Sequence, residues 1–184
     1  MSSLQRTRNG ENKFKKLRFS VASMNQQQLK KTIRFANIKC ATAGGKFTEK
    51  RQQVLEILLK ANKPLSAYEL TEQFNKVMSV PILAMSVYRI LDFLESVSLV
   101  HRLKSENKFM ACTHVNDGCS HQLSMFLICS KCNKVIEMSD VDDKIKALFA
   151  QVELSGFSPR ETQLEISGLC RQCKPTIEQL EEKQ

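Results

Sequence analysis

Ser86-Val-Tyr-Arg-Ile-Leu-Asp-Phe-Leu94, followed by Leu99-Val-His-Arg-Leu103 and Lys108-Phe-Met-Ala-Cys112, decides the fold. In the first run Val87, Ile90, Leu91 and Leu94 fall on one stripe of a helix over roughly 84–96, while Ser86, Arg89 and Phe93 project elsewhere. The other two runs read as short strands, and the polar Ser105-Glu106-Asn107 between them makes a hairpin turn. Upstream, Ser66-Ala-Tyr-Glu69 fits a capping box: the serine accepts from the third amide and the glutamate reaches back to the cap. Leu70, Phe74 and Val77 carry that helix's apolar face, and Pro81 separates it from the next. Before it, Thr48 is placed to cap a helix with Val54, Leu55 and Leu58 on one face and Lys50 and Arg51 in its first turn. A further helix over 26–40, with Leu29, Ile33 and Ala36 aligned, is broken by Gly44-Gly45. Three helices and a hairpin outline a winged helix-turn-helix.

The second half has another rhythm. Leu123 to Ile128 reads as a buried strand. Val141, Ile145, Leu148, Phe149 and Val152 read as an amphipathic helix, and Glu161 to Ile166 as a strand with Leu164 and Ile166 pointing one way. The expected class is α+β, with a winged helix-turn-helix domain followed by a small α/β domain. The expected divisions are a basic, disordered extension over 1–24, the winged helix over 25–112, a metal-binding domain over 113–173 and a polar tail over 174–184.

Charge follows this division. Residues 1–24 carry six Lys/Arg against one acidic residue (+5), residues 25–112 fourteen against seven (+7), and residues 113–184 eight against eleven (−3), within a total of +9. A basic first half joined to an acidic second half is what a chain needs if only its first half meets a polyanion; a solvated Lys-rich face is the alternative. Apolar residues come in short periodic sets, so no run approaches the roughly 20 residues of a membrane span. Residues 1–24 contain no secretory core, although their Arg/Lys-rich, acid-poor composition also resembles a transit peptide. A reducing cytoplasm is therefore the expected setting, and there paired cysteines serve as metal ligands more often than as disulfides.

Cys129-Ser-Lys-Cys132 and Cys170-Arg-Gln-Cys173 are two such pairs. Zinc takes four ligands at tetrahedral corners and favours thiolates, and a two-residue gap lets both sulfurs of a knuckle turn to one point. Together the knuckles close a four-thiolate site with no open position, which is a structural site. One pair alone would equally suit a thiol redox protein. A second candidate set comprises His101, Cys112, His114, Cys119, His121 and Glu137, which hold every histidine of the chain. The hairpin brings His101 and Cys112 together, and a mixed set at a domain junction is what a metal sensor needs. Scattered polar loop residues are the plain alternative.

Taken in order, these motifs resemble the ferric uptake regulator superfamily from about Leu29 to Cys173, and its zinc uptake regulators most closely. The match includes Thr48-Glu-Lys-Arg51, Leu65-Ser-Ala-Tyr68-Glu-Leu70, Ser86-Val-Tyr-Arg89, Leu99-Val-His101, Phe126-Leu-Ile-Cys129, Val135-Ile-Glu137 and Gly168-Leu-Cys170-Arg-Gln-Cys173. The resemblance implies a homodimer that binds palindromic double-stranded DNA when metal-loaded and represses zinc uptake genes. It also implies two zinc ions per protomer: a structural ion on Cys129, Cys132, Cys170 and Cys173, and a regulatory ion on His101, Cys112, His121 and Glu137. The histidine-rich run that precedes the first knuckle in iron-responsive members is missing here, and a thiolate in the donor set suits zinc better than ferrous iron. Either Cys112 or Cys119 supplies that sulfur.

The second helix of a helix-turn-helix enters the major groove. Ser86, Tyr88 and Arg89 are then free to meet DNA, with Arg89 on a guanine edge or a phosphate; half-buried structure is the equal alternative for Tyr88. Lys50 and Arg51 would touch phosphate, with solvated surface charge as the equal alternative, and Lys104 and Lys108 would grip the backbone from the wing. An iron, manganese or peroxide sensor on the same fold is the rival within regulation. A zinc deaminase would need His-x-Glu and Pro-Cys-x-x-Cys; Ile128 and Leu169 precede the knuckles and no His-x-Glu occurs, so an enzyme is not expected.

Overall fold

The computed structural model describes residues 25–61, 63–113, 115, 124–138, 141–159 and 163–174. Four helices come first: α1 (Gln26–Thr42), α2 (Glu49–Ala61), α3 (Ala67–Val77) and α4 (Ala84–Ser96). A hairpin follows, of β1 (Val100–Leu103) and β2 (Lys108–Ala111). Then come β3 (Ser124–Cys129), β4 (Val135–Met138), α5 (Asp142–Leu154) and β5 (Gln163–Gly168).

Side chains set the helix starts. Asn25 accepts from the Gln28 amide at 2.8 Å and Gln28 accepts from the Asn25 amide at 3.2 Å, so α1 opens on a capping box. Ser66 and Glu69 build the second one, at 3.2 and 2.7 Å. The Thr48 hydroxyl accepts from the Arg51 amide at the head of α2. Between α3 and α4, Asn75 binds Ile82 from both ends of its amide, accepting at 2.7 Å and donating at 3.2 Å. That bond pair fixes the turn of the helix-turn-helix. Gly44 ends α1 at φ +73, and a Cβ on Gly45 would lie 2.6 Å from the Phe93 ring, so only glycine lets α1 pass α4 this closely.

One core joins α1–α4 to the hairpin. Val54, Leu55, Leu65, Leu70, Phe74, Val87, Leu91, Leu94, Leu99 and Phe109 are fully buried in it. Ile90 lies at its margin, and Val77, expected on the apolar face of α3, is 69% exposed because α3 ends there. The hairpin pairs Val100↔Ala111 through Leu103↔Lys108, and its turn includes Asn107 at φ +50. Phe109 exchanges two backbone hydrogen bonds with Leu65, at 2.9 and 2.7 Å, which ties the wing to the residue before α3. Phe109→Ala is expected to cost about 3–5 kcal/mol through the cavity it leaves, read as a lower urea midpoint for unfolding of the helical half.

The second sheet has the order β4-β3-β5, with β3 antiparallel to β4 and parallel to β5. Its two faces meet different partners. Phe126, Ile128 and Val135 pack against Leu103 and Met110 of the hairpin. On the other face Met125, Met138 and Leu164 pack against Val141, Ile145 and Phe149. The sheet thus lies between the wing and α5. Leu164 and Ile166 do share a face, but α5 covers only the first; Ile166 is 49% exposed. Leu148 of α5, expected on its apolar face, is 46% exposed.

Candidate metal centre

The parallel pairing of β3 with β5 puts Cys129 opposite Gly168, so both knuckles grow from the same end of the sheet. Ser130 holds them together through its amide and hydroxyl, which donate to the Gly168 carbonyl at 2.9 and 3.2 Å. The first knuckle turns back through the Asn133 amide on the Cys129 carbonyl, with Asn133 at φ +56. The second turns through the Cys173 amide on the Cys170 carbonyl. All four sulfurs lie within 4.8 Å of one another, and Cys132 Sγ stands 3.7 Å from Cys170 Sγ. With zinc–sulfur bonds of about 2.3 Å, a tetrahedral edge is about 3.8 Å. The set fits a four-thiolate zinc ion.

Electrostatics agree with a cation site. The Cys170 amide donates to Cys129 Sγ at 3.3 Å. This bond, helped by the amides of Cys132 and Lys131, lowers the Cys129 pKa to about 6. Cys173 goes the other way: crowding by the Cys132 and Cys170 thiols pushes it up to about 12. A cluster of thiols holds its first negative charge readily and its last only beside a cation.

The second cluster crosses from the wing to the sheet. His101 is the second residue of β1 and Cys112 follows β2, where its amide bonds the Leu99 carbonyl. Glu137 comes from β4. One ligand atom from each lies within 4.8 Å of the others, and all three residues are buried. His101 Nε2 stands 3.1 Å from Glu137 Oε1, and the imidazole rests 5.1 Å from the Phe126 ring. Thr113 fixes the carboxylate, donating to Oε2 from its amide at 3.0 Å and its hydroxyl at 2.6 Å. Nitrogen, sulfur and oxygen donors converging in a dry pocket suit a borderline-soft dication such as zinc. His121, expected in this set, lies outside the described residues, as do His114 and Cys119; Cys112 is the described sulfur.

The residues expected on DNA behave differently from one another. Arg89 is exposed on α4 and Lys50 on α2, and Ser86 is partly covered. Tyr88 is half-buried, the alternative expected for it. Its ring meets Tyr68 and Phe109 edge-on, with centroids 6.5 and 6.4 Å apart, and it packs against the main core. Arg51 is engaged too. Its guanidinium covers the Phe93 ring at 3.3 Å and donates to the Lys46 carbonyl, so it braces the α1–α2 connection.

Periodicity gave no hint of Glu165 and Gln163, which fasten the wing from β5. Glu165 accepts from the Lys104 amide at 2.7 Å and from the amide and hydroxyl of Ser105, while Gln163 donates to the Arg102 carbonyl at 2.8 Å. Burial alone would raise the Glu165 pKa; the donors from Ser105, Lys104 and Gln163 outweigh it and hold the group below its ordinary value. A depressed folded pKa contributes attachment above the unfolded value and loses it as pH falls through the folded one. Amide exchange at Lys104 and Ser105 should therefore quicken in the acid range below the ordinary glutamate value. Glu165→Gln should remove that pH step; an unchanged step would sink the assignment.

The family model of the ferric uptake regulator family matches residues 42–167. The chain belongs to the ferric uptake regulator family. Within that family it is 32% identical over 136 residues to the zinc uptake regulation protein of Escherichia coli strain K12, covering 73% of this chain and 76% of that protein. Among solved structures it is similar to holo XcZur, at 36% identity and a TM-score of 0.64, over 77% of this chain and 95% of that one. It is also similar to a zinc uptake regulator complexed with zinc and DNA, at 25% identity and a TM-score of 0.68, over 84% of this chain and 97% of that one. As a family member it has the winged helix-turn-helix followed by an α/β unit. Among its described residues no helix is long and apolar enough to cross a membrane.

Proposed function

We propose that this family member is a zinc-responsive, DNA-binding repressor of zinc uptake genes, without enzymatic activity, working in the cytoplasm. The observation that carries the reading is the convergence of His101 and Cys112 from the wing with Glu137 from the sheet. Residues 25–112 are the DNA-binding domain and 113–173 the metal-binding dimerisation domain. Cys129, Cys132, Cys170 and Cys173 hold a structural zinc; His101, Cys112 and Glu137, with His121, hold a regulatory one, giving two ions per protomer. A bound zinc ion supplies a fixed bond between wing and sheet. Thr113 aims the Glu137 carboxylate at it, and the Phe126 ring backs the imidazole. Ligand and DNA affinity are then linked: whatever factor the metal adds to operator binding, DNA returns to metal binding.

Likeness to the zinc- and DNA-bound regulator supports duplex DNA as the partner, as does the basic first half. Lys50, Arg51, Ser86, Tyr88 and Arg89 form the DNA-facing set, with Arg51 and Tyr88 acting partly through the packing they brace. A homodimer is supported by the apolar row Leu127, Ile136 and Ile166, partly covered at the first two and exposed at the third, and by exposed Leu154 and Phe157 (88% and 67%), apolar surface that a second copy would cover. The thiolate of Cys112 favours zinc over iron or manganese. Four sulfurs gathered in one site argue against a single redox pair.

Elemental analysis before and after mild chelation, paired with fluorescence anisotropy on duplex DNA, tests the reading. Two zinc ions per protomer should fall to one, and DNA affinity should fall with the labile ion. One ion that never exchanges, or affinity indifferent to zinc, would overturn the sensing role.

A further inference from the structure

The solvent face of α4 begins with an apolar residue. Val87, Leu91 and Leu94 point into the core, so Met85, Arg89 and Asp92, at i, i+4 and i+7, share the opposite face. Arg89 and Asp92 are the polar, exposed residues expected there. Met85 is 66% exposed, and Leu83, the N-cap residue with no side-chain capping bond, is 77% exposed. Single exposed apolar residues are ordinary. Here two flank the first turn of one helix, on the end that leads into the groove, where a polar cap would otherwise stabilise the helix by about 1 kcal/mol.

We propose that Met85, with Leu83 beside it, reads thymine C5-methyl groups in the major groove. The inference rests on the DNA-binding reading above and adds which base this end of the helix recognises. N-terminal residues of a recognition helix are the ones that reach base edges, and the thymine methyl is the one apolar group the major groove presents. Methionine is unbranched and polarizable, so it follows a methyl group without a fixed shape. Continuity with Arg89 on the same helix face places the pair inside the DNA interface. The N-terminal end of α4 also carries no acidic residue in its first turn, so nothing there repels the phosphates on either side.

The test uses the full-length, zinc-loaded chain and a duplex selected by it from random DNA. Each thymine is replaced in turn by deoxyuracil, which lacks only the methyl group. Wild type should lose roughly four-fold in affinity at one or two positions per half-site, the worth of one buried methyl. Met85→Gln should bind less tightly yet no longer distinguish thymine from uracil there, with zinc content, thermal midpoint and salt slope unchanged. Equal thymine-to-uracil penalties in both proteins, or no sensitive thymine, would overturn the proposal while leaving the repressor reading intact. So would sedimentation showing that Met85→Gln weakens self-association without DNA, which would assign this face to a second copy. Absence of any zinc-dependent DNA binding by wild type would overturn both.

Discussion

Cys170→Ser is expected to unfold the sheet half of the protein and leave the helical half standing. The main core draws on 22 buried residues from α1–α4, the hairpin and the segments that join and follow them. The cluster between sheet and wing has four, one of them Leu103 of the hairpin, and the cluster between sheet and α5 has two, Val141 and Ile145, too few to hold a domain unaided. Structural zinc contributes roughly 10 kcal/mol or more to small metal modules, so loss of a ligand removes more than the sheet has to spare. Cys170 also donates its amide to Cys129 Sγ, so its knuckle anchors the other one. Hydrogen exchange by mass spectrometry should show β3, β4 and β5 losing protection in Cys170→Ser and in chelator-stripped wild type, while α2, α3 and α4 keep theirs. Full protection of β3 in the metal-free variant would remove the structural role from the four cysteines.

The second large effect falls on the other cluster. His101→Ala should leave the thiolate-bound ion in place, abolish the exchangeable one, and reduce DNA affinity to its metal-free level. Coupling free energies between such sites are typically about 1–3 kcal/mol, hence a loss of roughly 5- to 150-fold in zinc-replete buffer. Because His101 lies 8% exposed behind Phe126, it cannot itself touch phosphate, and the slope of log affinity against log salt should not change. Glu137→Gln should behave alike, since a neutral amide keeps the Thr113 bonds but weakens the donor. If His101→Ala bound DNA tightly and still responded to zinc, the wing–sheet cluster would not be the sensor.

The winged helix was legible because each of its signals is local. Ser66 and Glu69 are three residues apart, and Val87, Leu91 and Leu94 sit on one helical stripe; both features form as read. Each knuckle was equally plain, since a two-residue gap brings its own two sulfurs together; the parallel pairing of β3 with β5 then brings one knuckle to the other. The second cluster was half legible. The hairpin places His101 beside Cys112; Glu137 was named as a candidate, but its convergence on them comes from the stacking of sheet on wing, which no period encodes. Glu165 was invisible for the same reason: β5 pairs in parallel with a strand 39 residues earlier (Ser124↔Gln163), so its reach to Ser105 depends on topology. Arg51 and Tyr88 have a packing role that spacing did not show. A cation at a helix start and an aromatic on a recognition helix look like ligand contacts, yet Phe93 and Phe109 claim their faces.

The parallel pairing of β3 and β5 also bears on how quickly the chain folds. Every rung of that ladder closes the same 39-residue loop, from Ser124↔Gln163 to Cys129↔Gly168, whereas the hairpin closes with Leu103↔Lys108, five residues apart. Loop closure must precede the contacts that reward it, and non-local ladders form slowly. The helical half should therefore reach its native state first, with the sheet half following in a later phase. A newly made chain passes through a period in which the recognition helix and wing are formed but not yet fastened to the sheet that carries Glu137.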